Sequence, residues 1–308
     1  MTEEYIKQLQ ERLKENPKDN EAIELYAIAL SDIGENEEAL KNFVYLKNIF
    51  PDNARIYYNI GIILEKLKKY ETSMLAYEKA YSLASDDTDI MYNLANAYLK
   101  SKNLDEAEKL FLKVIEVDKE DENSYFHLGE IYSRKKEHEK AIEYLNKALT
   151  LDSSDLIAKF YLAYETKEIG KTEEAIKLYG EIVAESPDYS WAYYNLASIY
   201  IEKNDEEKAV LFLEKTIKTN PSDMKAVKLL VKLHYKHKKY SVAERILKQA
   251  LLALPDEADI CYLLAKVYKQ LKNRINYSKY LKLALKNQMT FSGDTAKLEA
   301  EIKALEKA

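Results

Sequence analysis

The sequence predicts an all-α solenoid of stacked helical hairpins, and three observations carry that expectation. A unit of 34 residues recurs eight times in unbroken phase, beginning at Asn20, Ala54, Thr88, Glu122, Leu156, Ser190, Met224 and Ala258. Each unit holds two apolar stripes at helical spacing. In 190–223, Tyr193, Leu196, Ala197 and Tyr200 stand at i, i+3, i+4 and i+7, while Ala209, Leu213 and Thr216 supply the facing stripe. All five prolines (Pro17, Pro51, Pro187, Pro221 and Pro255) fall on one frame position. A unit this short cannot bury its stripes alone and must stack on its neighbours.

The elements follow in order. Residues 2–15 read as one helix, apolar at Tyr5, Ile6, Leu9 and Leu13 and ended by Asn16-Pro17, because proline cannot continue a helix and disfavours it one residue earlier. Residues 1–19 are thus expected to be a half-repeat serving as an amino-terminal cap. Eight tandem units should fill 20–291. In their first helices small residues hold one frame position: Ala27, Gly61, Ala95, Gly129, Ala163, Ala197 and Ala265, with Val231 the exception. Twelve residues later come Ala39, Ser73, Ala107, Ala141, Ala175, Ala209 and Ala243. Small side chains at both places let two helix backbones approach closely. Short polar or Gly-containing turns separate the paired helices. Lys159 and Thr166 break the stripe of the fifth unit, and Tyr277 replaces the small residue of the eighth, so distorted packing is expected there. Residues 292–308 read as a second cap, whose helix (294–308) carries Leu298, Ile302 and Leu305.

This pattern resembles the tetratricopeptide repeat, with its aromatic, Leu-Gly/Ala, Tyr, Ala, Phe and Pro at fixed offsets. The resemblance spans residues 20–289. It implies a right-handed superhelix whose concave side holds extended peptides or partner helices, and a solvating helix over the carboxy-terminal end.

The formal net charge of -6 indicates solubility more than it names a partner. No apolar run approaches a membrane span, so no membrane insertion is expected, and the acidic amino terminus is unlike a secretory signal. Cys261 is the only cysteine, which leaves no internal disulfide; the expected location is the cytoplasm. Phosphate-loop, HExxH, CxxC and GxSxG motifs are absent. Of four histidines only His234 and His237 are close, with no acid or thiol completing a metal site. His234 is expected to fill a core position held elsewhere by Tyr200 and Tyr268. The reading is therefore a non-enzymatic protein with no cofactor.

At about 100° per residue, the second, fifth, ninth, twelfth and thirteenth frame positions point away from the core stripe. In the family resembled they line the concave surface. Units five and six are apolar there (Ile157, Phe160, Tyr164, Trp191, Tyr194 and Ile201), and unit seven is basic (Lys225, Lys228, Lys232 and Lys236). Aromatic anchors dominate interface hot spots, so Trp191, Ile157 and Tyr164 are expected to touch a ligand, while Tyr194 also fits the family background. Asn195, with Asn59 and Asn93 at the same position, could hydrogen-bond a peptide backbone. The leading expectation is a scaffold gripping a peptide or helix of a partner protein, oriented through an acidic segment by the lysines. Polyanion or nucleic-acid binding along the lysines is the weaker alternative, and self-association the third.

Overall fold

The computed structural model describes residues 3–307, so Thr2 and Ala308, expected at the helix ends, lie outside the described residues. Among these the chain is all helix: eighteen α-helices, one short 3-10 segment and no strand. It divides into two compact units at Ile169/Gly170. The first holds α1 (Glu3–Glu15), α2 (Asn20–Asp32), α3 (Asn36–Ile49), α4 (Ala54–Lys66), α5 (Tyr70–Leu83), α6 (Thr88–Lys100), α7 (Leu104–Val117), α8 (Glu122–Arg134), α9 (His138–Leu151) and α10 (Leu156–Glu168). The second holds α11 (Thr172–Glu185), α12 (Ser190–Glu202), α13 (Glu206–Thr219), α14 (Met224–Lys236), α15 (Tyr240–Ala253), α16 (Ala258–Gln270), α17 (Arg274–Lys286), the 3-10 segment Gln288–Thr290 and α18 (Thr295–Lys307). Within each unit, every helix packs on the next in the chain.

Local chemistry sets these boundaries. Asp19, Asn53, Asp87, Asp121, Asp155 and Asp223 precede first helices, and each side chain accepts a hydrogen bond from a backbone N–H of the first turn. For α16 the cap comes from further along the chain, with Thr290 Oγ1 accepting from Ala258 N at 2.8 Å. The turn inside each hairpin is equally regular. Gly34, Lys68, Lys102, Lys136, Gly170, Asn204, Lys238 and Lys272 have positive φ and recur every 34 residues. After Gly34, Lys68, Lys102, Lys136, Asn204, Lys238 and Lys272 the next N–H reaches back to the first helix, as in Asn103 N to Tyr98 O at 2.8 Å. A lysine in this left-handed conformation costs about 1–2 kcal/mol that glycine does not pay. Lys102→Gly should therefore raise stability by up to about 1 kcal/mol, seen as a higher thermal midpoint; Lys102→Ala, retaining Cβ, should not.

Interdigitation of small and large residues builds the core. Ala95, Ala107 and Phe111 are fully buried in the first unit, as are Ala197, Ala209 and Leu213 in the second. At Gly61 a Cβ would fall 2.5 Å from the Tyr77 ring, so the close approach itself requires glycine. The distortion expected in the eighth unit does not occur at the level of its helices. Tyr277 is buried, and its hydroxyl donates to Glu301 of α18, which gives the large side chain a partner beyond the hairpin. Lys159 and Thr166 of α10 are buried despite their polarity. Beside them Glu165 is fully buried, accepting from Ser133 Oγ at 2.5 Å and lying 2.6 Å from His138 Nδ1.

His234 is buried, as expected, but its Nε2 has no hydrogen-bond partner. At the same frame position Tyr98, Tyr132 and Tyr268 donate to Glu78, Glu108 and Glu244. Burial, with Lys239, His237 and Arg245 nearby and only Glu214 opposing them, holds the imidazole below its usual pKa. Stability from the neutral ring is then complete above about pH 6.5 and is lost as pH falls below it. His234→Tyr should stabilise by about 1 kcal/mol and flatten this dependence in urea titrations between pH 7 and 5. An unchanged slope would discount His234.

Candidate functional site

The second, fifth and ninth positions of a first helix lie three and four residues apart, so one face presents them together. On α10, in the first compact unit, these are Ile157, Phe160 and Tyr164. Ile157 is 53% exposed and Tyr164 40%, whereas Phe160 is half-buried. Burial raises the pKa of the Tyr164 phenol, leaving it a neutral donor.

In the second unit α12 presents Trp191, the single tryptophan, at 65% exposure. Being helical, its position is fixed, and no core contact claims most of the ring. Tyr194 and Ile201 share the helix but are half-buried against the hydrophobic core. They support this face more than they project from it. The side-chain amide of Asn195 donates to Trp191 O at 2.8 Å, four residues back along its own helix. Asn59 and Asn93 likewise bond Arg55 O and Asp89 O. Each amide thus spends one of its two N–H donors on the preceding turn, and Asn93 Nδ2 also donates to the Tyr58 hydroxyl at 3.1 Å.

On α14, Lys225, Lys228 and Lys232 are exposed along one face. The row is less positive than the sequence suggests. Lys228 Nζ lies 2.5 Å from Asp259 of α16, and Lys236 Nζ lies 2.5 Å from Glu206 of α13. Burial acts to raise the Asp259 pKa, but hydrogen bonds from Lys228 and from Ser292 N and Oγ outweigh it and hold the carboxyl below its usual value. Lys225 and Lys232 make no ion pair among the described residues. Beyond them, Lys266 Nζ sits 4.4 Å from the centre of the Tyr262 ring, a cation–π contact.

Asp259 was legible in principle: it occupies the frame position of Trp191 and Lys225, one unit beyond Lys228. Pairing across units, 31 residues apart, is the pattern that reveals it. Among the described residues no group of three or more His, Cys, Asp or Glu side chains could hold a metal ion. Cys261 is fully buried, and burial raises its thiol to about 11, which makes it a poor nucleophile. No helix among them is long and apolar enough to cross a membrane.

Paired helices of 13 and 14 residues, with capped starts, left-handed turns and an outward face free of core duty, define a helical-hairpin repeat protein. Family models described as tetratricopeptide repeat match residues 54–87, 87–154 and 169–233. The chain belongs to the tetratricopeptide repeat family. It is similar to YrrB, described as a TPR protein with an unusual peptide-binding site, at 25% identity (61% of this chain, 96% of that one, TM-score 0.52). A tetratricopeptide repeat protein from Parabacteroides merdae ATCC 43184 is similar at 15% identity (93% of this chain, 98% of that one, TM-score 0.59). The C-terminal part of a TPR repeat-containing protein from Cytophaga hutchinsonii is similar at 19% (73% of this chain, 93% of that one, TM-score 0.59). The last two speak to the fold alone. No curated protein matches the chain.

Proposed function

We propose that this chain is a non-enzymatic scaffold holding a peptide or helix of a partner protein on the outward face of its first helices. Eight hairpins supply that face, and α1 and residues 292–308 close the ends as caps. The observation that carries the reading is the exposed indole of Trp191 on a regular, well-packed helix. A large aromatic held rigidly and left in water binds at little entropic cost and gains much on burial. Lys225 and Lys232, with no acid paired to them, lie on the same unit and favour an acidic segment of the partner. Ile157 and Tyr164 offer a second apolar patch on the first unit. Family membership supports protein binding in general, and the peptide-binding site reported for YrrB makes a peptide ligand the natural first choice.

The test uses immobilised peptides with one bulky apolar residue flanked either by Asp and Glu or by Lys and Arg. Capture should favour the acidic set and be lost in Trp191→Ala. Equal capture of both sets would remove the lysines from the account, and full capture by Trp191→Ala would remove the indole. Polyanion binding along α14 is disfavoured, because Asp259 and Glu206 neutralise half of its lysine row.

A further inference from the structure

The strongest unassigned feature lies in the first compact unit. It is a cavity of about 690 Å³ between the hairpins α4–α5 and α6–α7, lined by Glu65, Tyr70, Glu71, Met74, Ala97 and Ser101 among others. Its volume falls within the range of small-molecule sites, about 300–1,000 Å³.

Comparing units explains why the space is open. One unit further on, the place of Ala97 is taken by Ile131 and that of Ser101 by Lys135. Ile131 is fully buried, and Lys135 Nζ reaches Asp105 and Glu108, each at 2.5 Å. Ile63, Ile199, Leu233 and Val267, and in the fifth unit Glu165, fill the equivalent of the Ala97 position elsewhere and are all buried. Ala29 is the other small residue there, and it lies in a buried cluster with Ile6 and Leu9 of α1. Only between the second and third hairpins do two truncated side chains coincide, with Met74 the neighbour of Ser101 (Sδ to Oγ 3.8 Å). In place of the acid Glu108, this junction has the thioether of Met74.

The wall chemistry selects the ligand. Met74 and the ring of Tyr70, which is 56% exposed, give an apolar and polarisable surface. Lys100 is engaged by Glu65, which also accepts from Tyr77. Glu71 on the rim makes no ion pair among the described residues, and it is the counterpart of Asp105, which binds Lys135. The missing lysine thus leaves an unmatched negative charge beside an apolar hollow.

We propose that this cavity is a binding site for a small amphiphilic cation of the aromatic-amine class. The apolar body takes the space of the absent Ile and Lys side chains. The ammonium takes the place of the absent lysine amine at Glu71, with the Tyr70 ring adding a cation–π contact.

The test is a titration of the full chain carrying ¹³C-labelled methionine methyls, with Met74 assigned through Met74→Leu. Phenethylammonium should shift the Met74 resonance saturably. Phenylacetate, of like size and opposite charge, should bind at least tenfold more weakly. Glu71→Gln should weaken phenethylammonium severalfold without changing the response to neutral benzyl alcohol. Ala97→Ile, which copies the neighbouring unit, should abolish the shift while leaving the thermal midpoint the same or higher. Were that variant to misfold, Ser101→Lys fills the same space and should give the same loss. Phenylacetate binding as well as the amine, a shift persisting in a folded filled variant, or no saturable shift with phenethylammonium would each overturn the proposal.

Discussion

Phe111→Ala should destabilise the protein by about 3–5 kcal/mol, the cost of removing a large aromatic from a packed core. Phe111 is fully buried on α7, meets Tyr92 edge-on at 5.7 Å between ring centres, and stacks on His127 at 5.1 Å. Its neighbours on the small side are Ala95 and Ala107, which cannot extend into the space left behind. Helix backbones held together through such residues relax only partially, so a cavity remains. Urea unfolding followed by circular dichroism should show a much lower midpoint. A loss below about 1 kcal/mol would mean that the helices collapse over the gap and that large-on-small packing is not what holds the hairpin.

Trp191→Ala should have the opposite profile. With 65% of the residue in water, its removal should change stability by less than about 0.5 kcal/mol. Capture of an acidic, apolar-anchored peptide should fall by at least about 30-fold, the scale of a hot-spot aromatic worth 2 kcal/mol or more. Tyr164→Ala on α10 should cost less, since its ring is more covered and its hydroxyl is a weaker anchor. A structural role for Trp191 would reverse the order, with stability falling alongside binding.

Much of the fold is legible in the sequence because the frame never slips. Each first helix begins on the residue that opens a repeat, Asn20 and Thr88 among them, since a core stripe recurs at fixed offsets and most starts carry an acid or amide cap such as Asp19 or Asp87. The exposed face was legible for the same reason: Trp191 and Ile157 occupy positions that cannot reach the core of their own hairpin. Contacts between neighbouring hairpins were not. Lys228 reads as a free charge along α14 and is held by Asp259 from α16. Glu165 of α10 is fully buried, with Ser133 and His138 as its partners from the preceding hairpin. The hollow beside Ala97 emerges only when that position is compared with Ile131 and its equivalents. In each case stacking juxtaposes residues about 30 positions apart, which periodicity within one helix cannot register.

The most direct measurement is acrylamide quenching of Trp191, the only indole in the chain, with and without a saturating acidic peptide. Efficient quenching in the free protein and strong protection in the complex are the expected results. An indole already shielded before the peptide is added, or one equally quenched after it binds, would contradict the claim that the outward face of α12 is where the partner docks.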